Sequence, residues 1–126
     1  MKSFFLLIAL LTQANALAGN FHVFCEHQYV DQNSDTFLEQ HYLSTVFEHY
    51  EPYSRDCAGV RLEQLERTFK RHLEFIDVNV DLYDGFTSCN CYSRRHDANK
   101  AHKESIRTIR GQNGANLRII SDFFGK

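Results

Sequence analysis

No HExxH zinc-hydrolase signature, no GxSxG nucleophile elbow and no N-x-S/T sequon occurs in these 126 residues. The first two absences remove the commonest hydrolases that a short motif betrays, and the third removes N-linked glycosylation. The chain has one proline, no low-complexity tract and no internal repeat, so it reads as a folded domain rather than a linker or a solenoid. Beyond the N-terminal stretch no apolar run reaches the length of a membrane helix.

The N-terminal stretch has its own pattern. Lys2 supplies a short positive region, Phe4 to Leu11 (FFLLIALL) an apolar one, and Ala16-Leu17-Ala18 a small-x-small cleavage site. Together these are the parts of a secretory signal peptide, too short to span a bilayer. Removal of residues 1–18 is expected, leaving 19–126 as a single secreted, extracellular α+β domain. A domain of that length buries only a modest core, and disulfides are the usual supplement outside the cell.

Cys25, Cys57, Cys89 and Cys91 all lie in that domain, and four cysteines allow three pairings. A bond within the C-x-C pair is disfavoured, because residues i and i+2 of a strand share a face near the limit of bridging distance. A four-cysteine zinc site normally uses C-x-x-C pairs, and only one tight pair is present. A redox role fits less well still. Neither a metal nor another cofactor is expected. Four participants in two disulfides are, with Cys25 and Cys57 each taking one partner from the C-x-C.

Hydrophobic periodicity orders the rest. Residues 21–30 alternate as a strand, with Phe21, Val23, Cys25 and Tyr29 on one face. A turn cluster follows at 31–35. Residues 36–50 carry Leu38, Tyr42 and Val46 at helical spacing, although their aromatic and β-branched content also permits a strand; we assign a helix. Leu62, Leu65, Phe69 and Leu73 stripe a firmer helix over 60–73. A strand over 75–83, an Asp84-Gly85 turn and a returning strand over 86–93 come next. A second helix over 96–110, with Asp97 placed to cap it, and a last strand over 115–124 complete the order. This is a βαββαβ succession, the ferredoxin-like split sandwich, with an extra segment after the first strand. Its usual sheet order, 4-1-3-2, sets the first strand beside the third. On that topology we expect Cys57–Cys89 and Cys25–Cys91.

Three features could carry chemistry. Glu26-His27, Glu39-x-His41 and Glu48-His49 bring carboxylates near imidazoles, as acid–base cleavage of RNA requires, but such pairs arise often by chance in a chain with seven histidines. Charge is unevenly placed: residues 19–60 hold one arginine against seven acids, whereas 86–126 hold eight basic and three acidic residues. Most of that positive charge lies at and along the second helix, in Arg94, Arg95, Lys100, Lys103, Arg107 and Arg110. The last four, at i, i+3, i+7 and i+10, share a face. Such a face is ordinarily just solvated; the functional alternative is a docking surface for a host protein or an anionic surface. The net charge of −2 and the lack of interleaved aromatics argue against nucleic acid.

A signal peptide, a mature chain near 100 residues, an even number of cysteines and no enzyme motif resemble the small secreted effectors of plant-associated ascomycete fungi. The βαββαβ order within that set is similar to the killer-toxin-like α/β effectors. The resemblance implies a disulfide-stapled sheet with two helices on one face, and a role in host manipulation or in killing competing microbes. The expected function is that of an effector that binds a host component without catalysis. A ribonuclease-like hydrolase using His and Glu, and an antimicrobial killer-type toxin, are the alternatives.

Overall fold

A computed structural model describes residues 19–31, 38–76 and 85–126. The expected signal peptide, the turn at 32–35, and residues 77–84, which hold most of one expected strand and its turn, lie outside them. Among the described residues the fold is mixed α+β, with a five-stranded sheet, two α-helices and two disulfides.

The sheet is built around β1 (Asn20–Asp31). Its odd residues Phe21, Val23 and Cys25 are buried on one face and Phe24 is buried on the other, as expected of a central strand covered on both sides. β4 (Phe86–Tyr92) runs antiparallel along one edge, from His22 opposite Tyr92 to Gln28 opposite Phe86. The other edge is taken by residues assigned above to a helix. They form β2 (Leu38–Ser44) and β3 (Phe47–Tyr50), both antiparallel to β1. β5 (Ala115–Ile120) then pairs with β2 in parallel. This inserts β2 between the first and last strands, which the split sandwich would set side by side.

β2 and β3 are one strand interrupted by a bulge. Leu43 faces Glu26 and Phe47 faces Val23, so Phe24 and Cys25 oppose three residues, Ser44, Thr45 and Val46. A bulge frees backbone groups, and here four of them find partners. The Cys25 amide donates to Ser44 Oγ at 2.8 Å, and Ser44 Oγ donates to the Thr45 carbonyl at 3.0 Å. The Thr45 amide donates to the Ile120 carbonyl at 3.1 Å, and His102 Nε2 donates to the Ser44 carbonyl at 2.8 Å. His102→Ala leaves that buried carbonyl without its donor and is expected to cost about 1–3 kcal/mol in urea unfolding. His102→Gln, which keeps an N–H, recovers part of the loss.

The helices are α1 (Leu62–Phe75) and α2 (Arg95–Arg110). The α1 stripe is the expected one: Leu65, Phe69 and Leu73 are buried and join Phe21, Val23, Cys25, Phe47 and Ile120 in one core, closed by Phe123 from the C-terminal tail. Phe123 packs against Phe69 and Phe47, and Asp122 beside it bonds His72 Nε2 at 3.0 Å. That hydrogen bond holds the Asp122 carboxyl below its ordinary 3.8. α1 extends through Phe75, a residue expected to open a strand. α2 begins at Arg95 with Arg94 as its extended N-cap residue; Asp97 lies in the first turn and does not cap it. It meets the face that carries Phe24, whose ring is edge-on to His102. Strand alternation therefore places the two helices on opposite faces of the sheet, whereas the resemblance implied one.

Candidate functional site

All four cysteines are bonded, but in the other pairing: Cys25–Cys89 and Cys57–Cys91. The register explains the correction. Cys25 stands directly across from Cys89, with 4.0 Å between Cα atoms. β3 brings the chain back to the start of β1, where Tyr50 faces Asn20. The 3₁₀ turn Cys57–Gly59 follows from that end. β4 finishes there too, so the later member of the C-x-C, Cys91, is the one within reach.

The six cations singled out from the sequence lie at the surface. Arg94, Arg95, Lys100, Lys103, Arg107 and Arg110 are all exposed, while Ala98 and Ile109 are buried against the sheet. None of the six forms an ion pair with another described residue. Arg94 and Arg95 stand at the positive end of the helix, so their charges add to its dipole and raise the attraction for an anion.

The three His/Glu pairs fare differently. Glu26 and His27, adjacent on a strand, point to opposite faces. His27 is buried on the α1 side, where its Nδ1 meets Thr87 Oγ1 at 2.6 Å. Gly85 lies against that ring: a Cβ there would come within 2.6 Å of it. His49 bonds Glu51 at 3.0 Å, not Glu48. Only the middle pair forms a cluster, and it recruits Glu26 from β1. His41 is 5% exposed, with Nδ1 3.0 Å from Glu26 Oε1 and Nε2 3.1 Å from Glu39 Oε2. A ring with one proton can donate to only one of these carboxylates; the doubly protonated ring donates to both.

His41 lies between two cavities. The smaller, about 180 Å³, opens on the Glu39 side next to Tyr29 and Phe86. The larger, about 430 Å³, lies between the sheet and α2. Its sheet wall presents Glu26, Gln28 and His41; its helix wall presents Glu104, Ser105 and Thr108. Tyr92 closes one side, its hydroxyl pushed above the ordinary value of 10.0 by burial and then by the Glu104 carboxylate. No lysine or arginine lines either cavity among the described residues.

The cationic face was legible because four of its members lie on one helix at a fixed period. The larger cavity was not. Its carboxylates come from β1 and α2, and no local spacing connects residue 26 to residue 104. Comparison with protein-family models, with curated proteins and with solved structures found no match.

Proposed function

We propose that this chain is a secreted, effector-like protein of the killer-toxin-like α/β kind, which acts by binding a host component and not by catalysis. The outer face of α2 is its contact surface. The observation that carries this reading is the set of six exposed cations on and before α2 that have no acidic partner among the described residues. Asp97 and Glu104 share the helix with them, yet neither forms an ion pair with any of the six. Such a surface attracts an acidic protein face or an anionic surface over about a Debye length. Two disulfides in so small a domain support an oxidising, extracellular setting.

A ribonuclease-like hydrolase is the second reading, favoured by the carboxylate-flanked His41 beside a cavity. Electrostatics weighs against it, since a cavity walled by carboxylates and lacking cations repels a phosphodiester. Two measurements separate the readings. The oxidised protein is expected to capture a component from plant-host extract in a salt-sensitive way. The fourfold charge reversal Lys100→Glu, Lys103→Glu, Arg107→Glu and Arg110→Glu abolishes that capture. Reversal of Arg67 and Arg71, exposed on α1, does not. Undiminished capture by the α2 variant would remove this surface from consideration. Cleavage of total RNA that is lost in His41→Ala and kept in His27→Ala would establish the hydrolase instead.

A further inference from the structure

We infer that the larger cavity between α2 and the sheet is a binding site for an alkyl guanidinium group, the chemistry of an arginine side chain or of a small metabolite that carries the same group. This site faces the opposite way in charge from the outer surface of α2 and does not depend on it.

The argument starts from what the walls can do. Glu26 on the sheet and Glu104 on the helix put carboxylates on both sides of the space. Gln28 on the sheet and Gln112 after the helix add amide oxygens, and Ser105 and Thr108 add hydroxyls. No lysine or arginine stands on the described walls to pair with these carboxylates, and a cation is the ligand they favour. The described residues contain no cluster of three or more His, Cys, Asp or Glu arranged to hold a metal ion, so the fit is to an organic cation.

Two features select guanidinium over ammonium. The acceptors are distributed over two facing walls, which suits a planar group with five N–H donors better than a compact point charge. The cavity also has an apolar strip, formed by Ala101, Ile109 and the ring of Tyr92, along which a methylene stem can lie while its charged end reaches the carboxylates. Its volume of about 430 Å³ is within the range of small-molecule sites. The Glu26 carboxylate is already anchored by His41 Nδ1, which fixes one acceptor before the ligand arrives.

The test is an amide-resolved NMR titration of the oxidised protein with three probes. These are agmatine, a capped Gly-Arg-Gly peptide, and the same peptide with citrulline, which keeps the shape and removes the charge. Agmatine or the arginine peptide is expected to give saturable shifts at Gln28, His41, Ala101, Glu104 and Thr108, and the citrulline peptide none. Glu104→Gln, a change at an exposed position that leaves the fold intact, is expected to weaken binding by about tenfold or more. Glu63→Gln on α1 leaves it unchanged. Binding by the peptide alone assigns the group to a protein partner; equal binding by agmatine assigns it to a free metabolite. The inference is overturned if neither cation shifts these amides, if citrulline binds as well as arginine, or if Glu104→Gln has no effect.

Discussion

Replacing Cys25 and Cys89 together by alanine is expected to lower the free energy of unfolding by about 4 kcal/mol, the chain-entropy value for a closed loop of this size. The bond spans 64 residues, and it ties the central strand to β4. For a domain whose total stability is on the order of 5–10 kcal/mol, that is close to half. The Cys57–Cys91 bond spans 34 residues, and loop entropy depends only on the logarithm of length, so its entropic contribution is nearly as large. Burial distinguishes the two. Cys25 and Cys89 are buried in the α1-side core, whereas Cys57 and Cys91 are half-buried at its margin. Truncating the first pair therefore also leaves a gap among Phe21, Val23 and Phe69, an added cost that the second pair lacks. Urea unfolding of both double variants checks this: a midpoint fall of about 2–3 M for Cys25→Ala/Cys89→Ala at ordinary slopes, and a smaller one for Cys57→Ala/Cys91→Ala. Equal midpoints for these two variants would show that burial adds nothing. A non-reducing peptide map that gave Cys25–Cys91 would contradict the register itself.

The sequence predicted what depends on local period and missed what depends on partners. The Leu62-Leu65-Phe69-Leu73 stripe follows from a 3.6-residue repeat, and that repeat puts Leu65, Phe69 and Leu73 in the core with Leu62 packed at its margin. Residues 38–50 satisfied two periods at once. Tyr42 and Val46 repeat as on a helix, but His41 and Leu43 also alternate with Tyr42 as on a strand. What decides between them is β1. A strand of 12 residues with β4 on one edge leaves the amides and carbonyls of its other edge to be satisfied, and β2–β3 satisfies them. That requirement is tertiary and leaves no mark on residues 38–50 themselves.

One misassignment produced the other. With a helix over 36–50, Cys57 falls near the far end of β1; with a strand that returns to Asn20, it falls near the start. The disulfide partners exchange accordingly. The same insertion shapes the candidate sites. β2 brings His41 beside Glu26, and its bulge offers the Ser44 carbonyl to His102. The larger cavity and the seating of α2 thus both derive from a segment whose conformation the sequence left open.

Phe24→Ala is expected to cost about 3–5 kcal/mol, the range for emptying a phenylalanine site, and to do so in one layer of the fold. Phe24 is 1% exposed and stands apart from the core that α1 shares with the sheet. Its ring stacks on Tyr92 at 6.0 Å and meets His102 edge-on at 5.2 Å. These are the residues that close one side of the larger cavity and lock α2 to the bulge. The remaining buried anchors of α2, Ala98 and Ile109, offer less area than the three large side chains that hold α1. Loss of the Phe24 ring should therefore release α2 before the rest unfolds. Hydrogen exchange at low denaturant checks this: α2 amides lose protection in the variant, while β1, β4 and α1, held by their own core and by Cys25–Cys89, keep theirs. Phe69→Ala is expected to give a similar total loss with the opposite distribution, exposing α1 first. A uniform loss of protection in both variants would mean that the two layers unfold as one unit. If they separate as expected, both proposed contact surfaces of α2 depend on Phe24. Phe24→Ala then weakens guanidinium binding and host-component capture together, whereas Glu104→Gln weakens only the first and the fourfold charge reversal removes the second without weakening the first.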